Sequence, residues 1–96
     1  MAAIEVLCKS IDPSWNIIDG KAIQRTVKFK TFREAIQMVN RLADLAESEG
    51  HHPDMVISYR RLTIILCTYA IGGLSQNDFI LARKIDELLT THHATQ

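Results

Sequence analysis

The feature that most constrains this 96-residue chain is a pattern met twice: two short β-prone runs about a turn signal, followed by a capped amphipathic stretch. In the first copy, Trp15 to Ile18 and Ala22 to Phe29 flank Asp19-Gly20, a dipeptide with a strong hairpin tendency. Thr31-Phe-Arg-Glu34 then has capping-box spacing, which predicts a helix from Phe32. Phe32, Ala35, Ile36, Val39, Leu42, Ala43 and Ala46 keep one side of it apolar until Gly50 supplies a C-cap. In the second copy, Met55 to Tyr59 and Leu62 to Tyr69 flank Arg60-Arg61, and Ser75-Gln-Asn-Asp78 repeats the capping pattern. Leu81, Ala82, Ile85, Leu88 and Leu89 form the inward stripe of the last helix.

Hairpin connections without a βαβ crossover predict an antiparallel four-stranded sheet with helices on one face. Ile4, Leu7, Cys8 and Ile11 recur at helical spacing and add a short helix that ends before Asp12-Pro13. The expected order is therefore αββαββα, a two-layer α+β fold in one domain over residues 1–96. Along the fourth strand Leu62, Ile64 and Leu66 point one way and Thr63, Ile65, Cys67 and Tyr69 the other, so both sheet faces are expected to be covered. Gly72-Gly73 breaks that strand, and the tail from about Thr91, with His92 and His93, is expected to fray. The two halves hint at pseudo-symmetry without a sequence repeat.

Composition narrows the function. Eleven basic residues balance eleven acidic ones, and the balance holds in each half, so there is no basic field for a nucleic acid. Glu5 interrupts what would be the apolar core of a signal peptide, and no apolar run approaches the length of a membrane span. A cytoplasmic protein is expected, with Cys8 and Cys67 as reduced, small apolar residues. A core of this size leaves sheet or helix surface without an intrachain partner, and a homo-oligomer, tetramer or dimer, is expected to cover it.

Chemistry concentrates on His51-His52, between a helix cap and a strand, with Pro53 stiffening the exit. An unperturbed imidazole titrates at about 6.5, so both of its protonation states exist near neutrality and suit acid–base work. Glu47 stands four residues before His51, where a further helical turn would set its carboxylate beside that ring. The competing reading is a solvated histidine pair at a helix end, favoured by the helix dipole. A metal site is the weaker alternative: adjacent histidines seldom converge on one ion and HExxH is absent. Gly72-Gly73 has neither ending of a phosphate loop.

The spacing becomes specific when the pieces are joined. Glu47, His51-His52-Pro53, Tyr59, Tyr69 and Asp78, in that order and at these intervals, resemble the signature of the pterin-4α-carbinolamine dehydratases, also called dimerisation cofactors of a homeodomain transcription factor. Trp15, Val27-x-Phe29-x-x-Phe32-x-x-Ala35 and the segment Thr68 to Asp78 extend the resemblance from about Trp15 to Leu88. It implies a cytoplasmic, homotetrameric α+β enzyme that removes water from a 4a-hydroxytetrahydropterin to give the quinonoid dihydropterin, without metal or other cofactor. It further implies His51 and His52 as two of three catalytic histidines, with Glu47, Pro53 and Asp78 in support. The third histidine falls on Tyr69, which sets the efficiency of catalysis in question. A phenol is a poor base at neutral pH but can donate a hydrogen bond to a departing oxygen or shape the pocket. Some members of the family also bind a transcription factor through a helical surface. A weakly active or inactive member working as a protein-binding or oligomerisation module is therefore the alternative.

Overall fold

In the computed structural model, residues 9–94 are described. Two hairpins and two long helices follow one another: β1 (Asn16–Ile18), β2 (Ala22–Lys28), α1 (Phe32–Glu49), β3 (Asp54–Ser58), β4 (Arg61–Leu66) and α2 (Gln76–Ala94). All pairings are antiparallel, in the order β1-β2-β4-β3, so the two hairpins join through β2 and β4 at the centre of the sheet. This is the expected α+β architecture. The helix predicted over Ile4 to Ile11 lies outside the described residues except at its end, where Lys9 to Ile11 form a turn and bend and Ile11 is buried.

Local chemistry sets each corner. Asp19 and Gly20 both take positive φ, as a primed hairpin turn requires, and the Lys21 N–H closes the turn on the Ile18 carbonyl at 2.9 Å. In the second hairpin Ser58 pairs with Arg61, so the corner is Tyr59-Arg60 and not Arg60-Arg61. Tyr59 carries the positive φ there, and the Arg60 guanidinium carbon lies 5.5 Å from its ring centroid. Thr31 caps α1 by accepting the Glu34 N–H at 3.1 Å.

One sheet face is buried. Ile23 and Val27 of β2 and Leu62, Ile64 and Leu66 of β4 pack against Ala35, Met38 and Leu42 of α1 and Phe79, Ala82, Ile85 and Leu89 of α2. The buried side of α1 is rotated from the expected stripe: Met38 lies at its centre, whereas Phe32 and Ala43 are exposed. Among the described residues no helix closes the other sheet face. Thr63, Ile65 and Cys67 are half-buried and Val56 is exposed, because both long helices lie on one side. β4 stops at Leu66, short of the expected Tyr69, which belongs to a 3₁₀ turn over Tyr69–Ile71. Residues beyond Thr91 continue α2 to Ala94 instead of fraying.

Asp86 of α2 fastens the segment before β1. Its carboxylate accepts from the Asp12 N–H at 2.8 Å, the Trp15 indole N–H at 2.7 Å and Arg25 Nη1 at 2.6 Å. Asp12 in turn accepts the Ser14 N–H at 2.8 Å, and its hydrogen bonds with Ser14 hold its carboxyl below the usual value of 3.8. Among the described residues no helix is long and apolar enough to cross a membrane.

Candidate active site

Antiparallel pairing brings the start of β3 beside the end of β4, with Asp54 opposite Ile65. The residues just before β3 and just after β4 are thereby neighbours. α1 ends and α2 begins at this same end of the sheet, so four chain segments deliver the candidate residues to one place.

His51 is positioned by the way α1 stops. Gly50 adopts φ 64°, a left-handed conformation that a side chain would strain, and its N–H and that of His51 both return to the Ala46 carbonyl. This reversal ends the helical spacing, so Glu47 does not meet His51 as an uninterrupted turn would have required. Glu47 hydrogen-bonds His52 Nε2 instead, in an exposed pair at the surface. His51 turns inward, and its Nε2 lies 2.5 Å from Asp78 Oδ1.

Asp78 is 0% exposed, which for a carboxylate demands a full set of donors. They are present. Asp78 Oδ2 accepts the Ser75 N–H at 2.9 Å, half of the expected capping box, and the Thr68 hydroxyl at 2.9 Å. Position in the first turn of α2 adds the favourable end of the helix dipole. With Nε2 donating to this carboxylate, the neutral imidazole of His51 is left with Nδ1 as its acceptor. Beside His51 lies a cavity of about 110 Å³ lined by Glu49, Gly50, Asn77, Ile80 and Leu81. It is smaller than the roughly 300 Å³ of a typical small-molecule pocket, so it does not by itself enclose a small-molecule ligand.

Tyr69 closes the constellation from the 3₁₀ turn that follows β4. Its side chain is 71% exposed, and the phenol donates to Asp54 Oδ2. That bond, with help from Cys67, pushes the phenol up to about 12. Pro53 is half-buried between His52 and Asp54, where its ring fixes the entry into β3. Among the described residues no three His, Cys, Asp or Glu side chains are grouped to hold a metal ion.

The family model for pterin 4 alpha carbinolamine dehydratase matches residues 2–88. The chain belongs to this family. A relative from Picosynechococcus sp. (strain PCC 7002), assigned by name to the pterin-4-alpha-carbinolamine dehydratases, is 51% identical over 76 residues, which is 79% of this chain and 82% of the relative. One from Thermomicrobium roseum with the same assignment is 47% identical over 87 residues, 91% of each. The crystal structure described as a transcriptional coactivator/pterin dehydratase from Brucella melitensis superimposes with a TM-score of 0.82 at 31% identity, covering 91% of this chain and 93% of that one.

Of the signature residues that carried the dehydratase resemblance, His51, Asp78, His52, Glu47 and Tyr69 lie at one end of the sheet, whereas Tyr59 stands at the opposite end, in the corner of the β3–β4 hairpin. Sequence reasoning passed over two partners, Asp54, visible only as the residue after Pro53, and Thr68, visible only as a polar residue before the Gly72-Gly73 break, whereas Ser75 was read as the cap that pairs with Asp78. The capping pattern of Ser75 and Asp78 was the available signal, since an acidic N3 residue facing a histidine loop can serve both cap and ring.

Proposed function

We propose that this protein is a cytoplasmic, homo-oligomeric hydro-lyase that converts a 4a-hydroxytetrahydropterin, such as 4a-hydroxytetrahydrobiopterin, to the quinonoid dihydropterin in pterin cofactor recycling. The observation that carries the reading is the pair of consecutive imidazoles, each hydrogen-bonded to its own carboxylate: His51 to buried Asp78 and His52 to exposed Glu47. Dehydration asks for this kind of pairing. The C4a–O bond breaks as its oxygen takes a proton and leaves as water. The N5–H proton passes to a base, and the freed electron pair forms the C4a=N5 bond. One imidazole takes the N5 proton while the other supplies the C4a oxygen, and a carboxylate behind each ring stabilises its cationic form.

Tyr69 suits no role as a base, because its hydrogen is held by Asp54 and its phenol ionises only at about 12. It acts in this scheme as a donor to the departing oxygen once substrate draws it from Asp54, and as a wall of the site otherwise. The reaction is neither oxidation nor reduction, and the residues named account for every proton moved without a metal or other cofactor.

A second reading is favoured by one comparison, the Brucella melitensis structure whose description joins a coactivator to a pterin dehydratase. Under it the chain docks another protein and catalyses weakly or not at all. The discriminating experiment follows the decay of enzymatically generated 4a-hydroxytetrahydropterin with and without this protein. Faster decay supports the dehydratase reading, and an unchanged rate supports the docking one.

A further inference from the structure

The Thr68 hydroxyl stands 2.9 Å from Asp78 Oδ2 and 2.6 Å from Ser75 Oγ. A hydroxyl has one hydrogen to give. Since Thr68 gives its own to the carboxylate, Ser75 Oγ must be the donor in the second contact. The chain of donation thus runs one way, from Ser75 to Thr68 to Asp78. Oδ2 also accepts the Ser75 N–H at 2.9 Å, which fills both of its lone-pair directions. Only Oδ1 then faces His51, at 2.5 Å. Thr68 is itself pinned by its backbone, whose N–H reaches the Gly73 carbonyl at 2.8 Å while the Gly73 N–H returns at 3.4 Å. This bridge closes the turn that carries Tyr69.

We propose that Thr68 is a positioning residue: its hydroxyl stops rotation of the Asp78 carboxylate, so that His51 is held in the tautomer with Nε2 protonated and Nδ1 presented as acceptor. The inference rests on the reading of His51 as an acid–base group in dehydration, and it deepens that reading by naming what sets the ring's tautomer. Without the hydroxyl, Oδ2 keeps one backbone donor and the carboxylate can swing. His51 then loses a fixed acceptor on one side, and the tautomer with the proton on Nδ1 gains population.

The test is the two-bond ¹H–¹⁵N correlation spectrum of the neutral histidine rings in the free protein, for native, Thr68→Val and Thr68→Ser. Native protein is expected to show the Nε2–H tautomer of His51 alone. Thr68→Val should change the tautomer ratio roughly 10-fold, the scale of one charge-assisted hydrogen bond, and Thr68→Ser should restore the native pattern. In the dehydration assay the valine variant should lower kcat about 10-fold and leave KM nearly unchanged. A folded Thr68→Val with a native His51 spectrum overturns the proposal. Should that variant fail to fold, Thr68→Cys replaces the hydroxyl with a weak donor of similar size, and a native spectrum there overturns it equally. Because the spectra need no substrate, a protein without dehydratase activity would still report the coupling, so failure of this inference and failure of the functional reading are separable.

Discussion

His51 Nε2 lies 2.5 Å from Asp78 Oδ1, and the two residues come from different helices' ends: the loop after α1 and the first turn of α2. The carboxylate is fully buried and the ring largely so, which makes this contact the link between the helical layer and the candidate chemistry.

Asp78→Asn should therefore weaken both fold and function. An amide cannot replace a carboxylate that accepts from the Ser75 N–H, the Thr68 hydroxyl and His51 together. One of its oxygens becomes an NH₂ facing existing donors. Urea unfolding is expected to show a loss of about 1–3 kcal/mol, the usual penalty for a buried polar group left unpaired. Dehydration by the fraction still folded should fall at least roughly 10-fold, since the ring loses its orienting partner.

The Tyr69 phenol gives a prediction in alkali. Unfolded, it ionises near its ordinary value of 10.0; folded, at about 12, because Asp54 accepts its hydrogen. On raising pH the unfolded chain gives up this proton first. The contribution of Tyr69 to stability is accordingly complete below about 10, declines through the interval, and is gone above about 12. Ultraviolet titration of a Tyr59→Phe background isolates the group. Asp54→Asn should return its midpoint toward the ordinary value, and an unmoved midpoint would remove Asp54 as the cause.

Much of this arrangement could be read in advance, and the parts that could not have physical reasons. Cap and stripe periodicity located α1 and α2 because both signals are local in sequence. The pairing of Glu47 with His51 was misread because Gly50 reverses the chain before the next helical turn is complete. Met38 escaped the α1 stripe because the helix presents a face centred between Ala35 and Leu42, a rotation set by what it packs against. Thr68 could not be recognised as a partner of Asp78: the two are ten residues apart, and only the Thr68–Gly73 bridge folds the intervening loop back. Helices on one face followed from the hairpin connections, but the apolar Ile65 and Cys67 on the other side of β4 suggested a covered face where the described residues leave it half-buried.

Substitution at Tyr69 separates its hydroxyl from its ring. Tyr69→Phe deletes the donor and keeps the ring, whereas Tyr69→His introduces the third imidazole that the resemblance to the dehydratases implies there. Rates near neutral pH, with fold checked in each variant, are expected to order as His fastest, native between, Phe slowest. Equal rates for native and Phe would make Tyr69 a packing residue only.

Assembly of copies is expected from the apolar surface that the described residues leave exposed. Ile17, Ile18, Phe32, Val56, Tyr59, Ile71 and Ile80 are all exposed, apolar surface that a second copy of the chain would cover. Sedimentation equilibrium at micromolar concentration is expected to give a dimer or tetramer. A monomer would contradict the assembly and leave these side chains unexplained.

The most direct measurement of the central claim, that His51 and His52 carry out the dehydration, is the decay rate of 4a-hydroxytetrahydropterin with native protein, His51→Ala and His52→Ala at equal folded concentration. Acid–base groups contribute roughly 10²- to 10⁴-fold, so each alanine variant should lose that order of acceleration, with Glu47→Gln losing less. Native acceleration retained by both alanine variants would contradict the account and leave the pair as solvated histidines at the end of a helix.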